Sequence, residues 1–321
     1  QLSGEEKEGV MRAFLAGRPL PATRLVVDPP SLEDGRLPPS LSGEFIDAIT
    51  GAYERGPADV WRVLRQGEVR SLDAAGRETG RTAALQVRLR GNGFPLEANE
   101  DTTFSIPFFG PDLRFRFVRD ATGRVERLAF TNSAGETSDL TPVRWDEVAF
   151  VEGERWLLAG PFQLESGERC DRPFPVEQGV LEGSTTPAPG SDGWRVGAGD
   201  DAFVDFEEVF GGSAVGGVGY AHLRIEADAA ESVQLRLGTD DDARVYLNGE
   251  RVHAFDGARH AWEAQDTVPA RVRAGSNRLL VKVCNRDSDW RFNLRITDED
   301  GRSLVGESTD RGVRLRRELR R

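Results

Sequence analysis

From about residue 68 onward, apolar and polar residues alternate with a period of two, interrupted at short intervals by Gly, Pro, Asn and Asp turn signals. A period of two puts successive side chains on opposite faces of an extended chain, so such segments bury one face and solvate the other. Leu85, Val87 and Leu89 alternate with Gln86, Arg88 and Arg90, and Leu113, Phe115 and Phe117 alternate with Arg114 and Arg116. Val125, Leu128 and Phe130 continue the pattern after the turn Asp120–Gly123. Further strands are expected at Trp156–Phe162, Trp194, Ala202–Phe206, Gly219–Glu226, Ser232–Gly238, Ala270–Ala274, Asn277–Asn285 and Trp290–Asp298. Val245 and Leu247 run into Asn248-Gly249, a strong two-residue hairpin signal. A series of strands with no helix between them implies a β-sandwich.

The first part of the chain reads differently. Ser3 with Glu6 makes a capping box, followed by Val10, Met11, Phe14 and Leu15 on one helical face up to Gly17. A proline-rich connection runs from Pro19 to Pro39. Ile46, Ile49 and Tyr53 lie at helical spacing, and Pro57 suits the first turn of a helix carrying Val60, Trp61 and Leu64. The expected fold class is therefore mostly β: a small antiparallel β domain with N-terminal helices, followed by a jelly-roll β-sandwich. The expected segments are 1–67 helical or extended, 68–144 the small β domain, 145–306 the sandwich, and 307–321 an arginine-rich tail.

Composition excludes several classes. With 17 Phe, 6 Trp and 38% hydrophobic residues, this chain of 321 residues can bury a real core. No run approaches the roughly 18 apolar residues of a membrane-spanning helix. A net charge of -12 repels phosphates, so nucleic acid is not an expected partner. Only Lys7 and Lys282 are lysines among the 42 basic residues, a bias that a GC-rich genome explains as readily as chemistry. The chain begins at Gln1, as a processed secretory protein, an excised fragment or a chain missing its first segment would. Cys170 and Cys284 are the two cysteines, with no C-x-x-C pair for structural zinc. They form either two buried thiols or one disulfide, and the polar loop around Cys170 favours the disulfide because packing alone holds it poorly.

The segment Gly91–Glu136, "GNGFPLEANEDTTFSIPFFGPDLRFRFVRDATGRVERLAFTNSAGE", resembles the small lipocalin-like β domain attached behind secreted beta-lactamase-like serine hydrolases. That resemblance implies no catalytic residues. Tyr220-Ala-His-Leu, Arg244-Val-Tyr-Leu-Asn-Gly249, Ala274–Val283 and Trp290–Arg295 follow one another in the order found in the galactose-binding-domain-like jelly roll. This second resemblance implies a sandwich fold and a carbohydrate or cell-surface polymer as partner.

Candidate site residues are few. The chain has no G-x-S-x-G, S-x-x-K or H-E-x-x-H motif, so it is not expected to be an enzyme. His222 alternates with Tyr220 and Arg224 and reads as a satisfied sheet histidine. Asp240, Asp241 and Asp242 repel one another and need solvent, backbone donors or a cation, so they read either as a solvated turn or as a calcium site. The stretch "DD…RVYLNG" is similar to calcium-dependent lectin domains of the protective-antigen type, in which paired aspartates hold the ion. Trp262 is the better candidate for stacking on a sugar, with Arg259, His260 and Asp287 as hydrogen-bonding partners, whereas Trp290 shares a face with Phe292 and Leu294 and reads as core. The C-terminal "RGVRLRRELRR" is a solvated end, a tether to an acidic surface, or a strand that adds to another copy's sheet edge. The sequence thus points to a non-catalytic extracellular or periplasmic binding protein, with carbohydrate as the leading ligand. A self-assembling structural subunit and an accessory region of a secreted hydrolase are the alternatives.

Overall fold

The computed structural model describes residues 43–56, 59–72, 78–89, 92–99, 103–109, 112–199, 202–212, 214–287, 289–309 and 312–316. The chain divides into two compact units, Gln1–Trp145 and Asp146–Arg321, and its sheets are almost entirely antiparallel.

In the first unit a short helix, α1 (Gly43–Ile49), buries Ile46 and Ile49. Eight strands follow: β1 (Gly51–Gly56), β2 (Asp59–Leu72), β3 (Glu78–Leu89), β4 (Asn92–Ala98), β5 (Phe104–Ser105), β6 (Arg114–Arg119), β7 (Val125–Thr131) and β8 (Thr137–Val143). Each pairs with the next, and β1 pairs back with β8, closing a barrel. The period-two residues Leu85, Val87, Phe115, Phe117, Leu128 and Phe130 fill its interior, where Trp61 meets Phe130 edge-on at 4.8 Å between ring centroids. Closure pairs every edge, which a small sheet otherwise leaves exposed. Two helical expectations are corrected here. Tyr53 belongs to β1, and Val60, Trp61 and Leu64 belong to β2, so the barrel starts at residue 51 rather than 68. Tyr53, Trp61 and Val63 all point into the barrel; the four-residue step from Ile49 to Tyr53 and the three-residue step from Trp61 to Leu64 resemble a helix face, but the two-residue step from Trp61 to Val63 is that of a strand. The helix expected over 3–17 and Pro57 lie outside the described residues.

The second unit is a two-sheet sandwich. Its strands are β9 (Leu157–Gln163), β10 (Arg195–Val196), β11 (Phe203–Asp205), β12 (Gly217–Ala227), β13 (Glu231–Thr239), β14 (Asp242–Leu247), β15 (Glu250–Phe255), β16 (Asp266–Val272), β17 (Gly275–Cys284), β18 (Arg291–Thr297), β19 (Val305–Thr309) and β20 (Gly312–Leu315), with helices α2 (Pro175–Glu182) and α3 (Phe206–Phe210). The larger sheet runs β10-β9-β12-β17-β14-β15, extended by β20 and β19, and the smaller runs β11-β18-β13-β16. Leu223, Leu235, Val245, Val281, Trp290 and Phe292 pack between them, Trp290 being core as expected. Asn248 and Gly249 both adopt positive φ, 54° and 90°, the conformation that a tight hairpin with this dipeptide requires.

The reading of the C terminus as a solvated end is corrected for Gly312–Leu315. This segment is β20, which pairs in parallel with β12 and buries Val313 and Leu315 in the sandwich core. The alternation of apolar residues with arginines is that of a strand, and its partner is this chain's own sheet.

The outer face of the larger sheet carries α2 and the polar loop before it. Cys170 and Cys284 form a disulfide with Cα atoms 5.8 Å apart. The neighbouring Asp171 accepts from Arg244 Nε and Nη2 at 2.8 Å each, and the Arg172 carbonyl accepts from Lys282 Nζ at 2.5 Å. Three consecutive residues are thereby tied to β17 and β14. Glu177, buried on α2, accepts from Tyr220, Tyr246 and Lys282 at 2.6, 3.0 and 2.9 Å. Burial lowers the Lys282 ammonium below its ordinary range, against the pull of Glu177.

Candidate functional site

Three connections meet at one rim of the sandwich: the β13–β14 turn with Asp240 and Asp241, the β15–β16 loop, and the β17–β18 loop. They bring together Asp240, Asp241, Asp242, Arg259, His260 and Asp287, all chosen from the sequence.

The acidic triplet is not a solvated turn. Asp240 and Asp241 are each 1% exposed and Asp242 is 6%. Asp241 Oδ1 accepts from the Arg259 amide at 2.8 Å, and its Oδ2 accepts from the Arg286 and Asp287 amides at 2.7 and 3.3 Å. Asp242 takes the Gly257 amide at 2.6 Å and both Nε and Nη2 of Arg286, at 2.9 and 2.8 Å. These four oxygens tie the two flanking loops to the turn, so Asp241 and Asp242 frame the rim. Burial raises the Asp241 carboxyl despite its three backbone donors, and Asp242 raises Arg286.

Asp240 is different. Its Oδ2 lies 3.5 Å from His260 Nδ1 and 3.4 Å from the Ala261 amide. Its Oδ1 is buried without a hydrogen-bond partner among the described residues. Burial, helped by the adjacent Asp241 charge and opposed by His260, pushes its pKa up to about 6. The same contact holds His260 above its ordinary value. One donor atom from each of Asp240, His260 and Asp289 lies within 4.8 Å of the others, a grouping that offers a cation two carboxylates and an imidazole. Asp289 was not anticipated. Its only signal is the Asp-Ser-Asp spacing that puts it two residues beyond Asp287.

The remaining candidates fall into place around this group. Arg259 stacks on Phe255 at 3.6 Å and grips Asp266 through Nη1 and Nη2 at 3.1 and 2.6 Å. Burial alone would raise Asp266, but hydrogen bonds from His253 and Arg259 outweigh it and leave its pKa lowered to about 2. Asp287 is exposed at the rim. Trp262 is only 5% exposed, and its carbonyl accepts from Asn293 Nδ2 at 2.8 Å, so it offers no open face for stacking on a sugar. The polar residues flanking Trp262 misled that expectation. His222 is buried on β12, but its Nε2 has no hydrogen-bond partner among the described residues and its ring stands edge-on to Trp194 at 6.1 Å, so the expected satisfied histidine is not found. Burial and the nearby Arg278 and Arg224 lower its pKa to about 4, leaving it neutral.

Such a rim can accept hydrogen bonds from hydroxyl groups and can hold a cation. No family model matches the sequence, and no curated protein matches it. In structure the chain is similar to the PA14 domain of the MpAFP antifreeze protein, at 10% identity and a TM-score of 0.24 over 56% of this chain and 69% of that one. It is similar to a PA14 sugar-binding domain from an RTX adhesin at 12% identity and a TM-score of 0.21, over 55% and 71% of the two chains. An anti-sigma factor domain-containing protein gives 11% identity and a TM-score of 0.30 over 78% of each. At these scores no shared ligand follows, and the functional reading rests on the rim itself.

Proposed function

We propose that the chain is a non-catalytic carbohydrate-binding protein acting outside the cytoplasm, and that its ligand meets the sandwich rim. The observation that carries this reading is the convergence of Asp240, His260, Asp287 and Asp289 on loops held rigid by Asp241 and Asp242. Sugar hydroxyls both donate and accept, so fixed carboxylates beside an imidazole are suitable partners, and a prepaid loop geometry limits the entropy lost on binding. With Trp262 buried, recognition runs through hydrogen bonds and coordination rather than stacking. The disulfide is consistent with an oxidising compartment.

Calcium, the alternative that the sequence offered to a solvated turn, fits these residues poorly. It takes about six to eight oxygens, whereas Asp241 and Asp242 already have theirs engaged. Asp240 and Asp289 alone would leave most of its shell to water.

A glycan array with the full chain, with and without added divalent cations, tests the reading. Binding to a defined glycan class that His260→Ala and Asp289→Asn both abolish is expected. No bound glycan, or binding indifferent to both substitutions, would overturn it.

A further inference from the structure

We infer that Asp240, His260 and Asp289 form a site for a divalent transition metal of the zinc class. The three donor atoms already cluster within 4.8 Å. The second, independent observation is Asp240 itself, which is 1% exposed and whose Oδ1 has no hydrogen-bond partner among the described residues. Buried polar atoms are almost always paired, and an orphaned oxygen on a carboxylate that belongs to a ligand cluster calls for a cation.

The donor set selects the metal. Imidazole suits zinc, nickel and copper, whereas calcium prefers an all-oxygen shell. One imidazole and two carboxylates leave a zinc-class ion open positions for water or a ligand hydroxyl. Bonds of about 2.0–2.2 Å require the three donors to draw closer than they now lie. Asp240 is fixed, so the movement falls to His260 and Asp289, whose side chains are 27% and 56% exposed.

The surrounding charges permit this. Arg259 is committed to Asp266 and Arg286 to Asp242. Asp241 adds negative charge beside Asp240, and Asp287 adds it beside Asp241. Arg291, with Nη2 at 3.6 Å from Asp289 Oδ2, is the cation that the metal displaces. The site does not depend on a glycan being the ligand, although its open positions face the rim where one is proposed to bind.

The test is titration of the chelator-treated full chain with zinc chloride or cobalt(II) chloride alone, followed by calorimetry, cobalt absorption and imidazole NMR. A single site is expected, with His260 resonances perturbed and those of His222 and His253 unchanged. Zinc displaces cobalt, and a large excess of calcium does not. His260→Ala and Asp289→Asn each weaken binding by about tenfold or more. Both residues are partly exposed, so these variants fold even if Asp240→Asn does not. Absence of a cobalt spectrum and of a His260 shift at millimolar metal would overturn the assignment. Calcium displacing zinc at equal concentration, or unchanged affinity in both variants, would do the same. Because no glycan is present, failure here and failure of carbohydrate binding are read separately.

Discussion

Replacing Asp240 by Asn should stabilise the chelator-treated protein at neutral pH while abolishing its response to metal. A buried acid with a raised pKa holds its proton more tightly folded than unfolded. Its contribution is fully present below the ordinary value of 3.8 and is lost as pH rises through about 6. The gap between those values corresponds to about 3 kcal/mol, which the folded protein forfeits at neutral pH to keep this carboxylate charged. Asn keeps the shape and can still accept from the Ala261 amide, but its buried NH2 lacks an obvious acceptor, which costs about 1 kcal/mol. A net gain of about 2 kcal/mol at about pH 7.5 should shrink towards zero or reverse at about pH 4, where Asp240 is protonated in the wild type. Urea unfolding of both proteins in EDTA across this range measures the difference. A variant destabilised at neutral pH, or a difference independent of pH, would refute the picture of an uncompensated charge.

Lys282→Met should cost about 3–5 kcal/mol, because it strips Glu177 of its buried cation and leaves it two tyrosine donors. Adding Glu177→Gln should recover at least half of that in a double-mutant cycle, and strictly additive losses would contradict the coupling. Gly238→Ala should destabilise by about 1–3 kcal/mol or more in thermal unfolding, since the new Cβ would lie 1.7 Å from the Trp262 carbonyl oxygen. Thiol counting under denaturing, non-reducing conditions should find no free thiol. Replacing both cysteines by Ser should lower stability by up to about 4–5 kcal/mol in the chain-entropy model, for a sequence separation of 114.

The architecture was legible wherever one period had one cause. Alternation marks which residues face a core irrespective of the partner strand, so most of the sandwich strands and the Asn248-Gly249 turn follow from local pattern alone. Where two periods coincide, the pattern is silent. Ile49 and Tyr53 stand four apart and Trp61 and Leu64 three apart, as on a helix face, yet Tyr53 and Trp61 are inward-facing strand residues, and only pairing between β1 and β2 decides. The alternation in Val313 and Leu315 allowed a strand beside the favoured solvated end, but gave no sign that β12 of the same chain would receive it.

The rim was legible in its residue types and illegible in their roles, for a reason that lies in the hydrogen bonds. Three adjacent aspartates look alike in sequence, and their repulsion suggests solvent or a cation for all of them. What separates them is the supply of donors from loops far along the chain. Asp242 receives Gly257 from 15 residues away and Arg286 from 44, and Asp241 receives Arg259 from 18 and Arg286 from 45. Asp240 receives only the distant edge of Ala261 and His260. A carboxylate with donors becomes scaffold, and one without them keeps its need for a counter-charge. The same arrangement that rigidifies two aspartates therefore leaves the third chemically available, and that division exists only once β13–β14, β15–β16 and β17–β18 have been brought to one end of the sandwich.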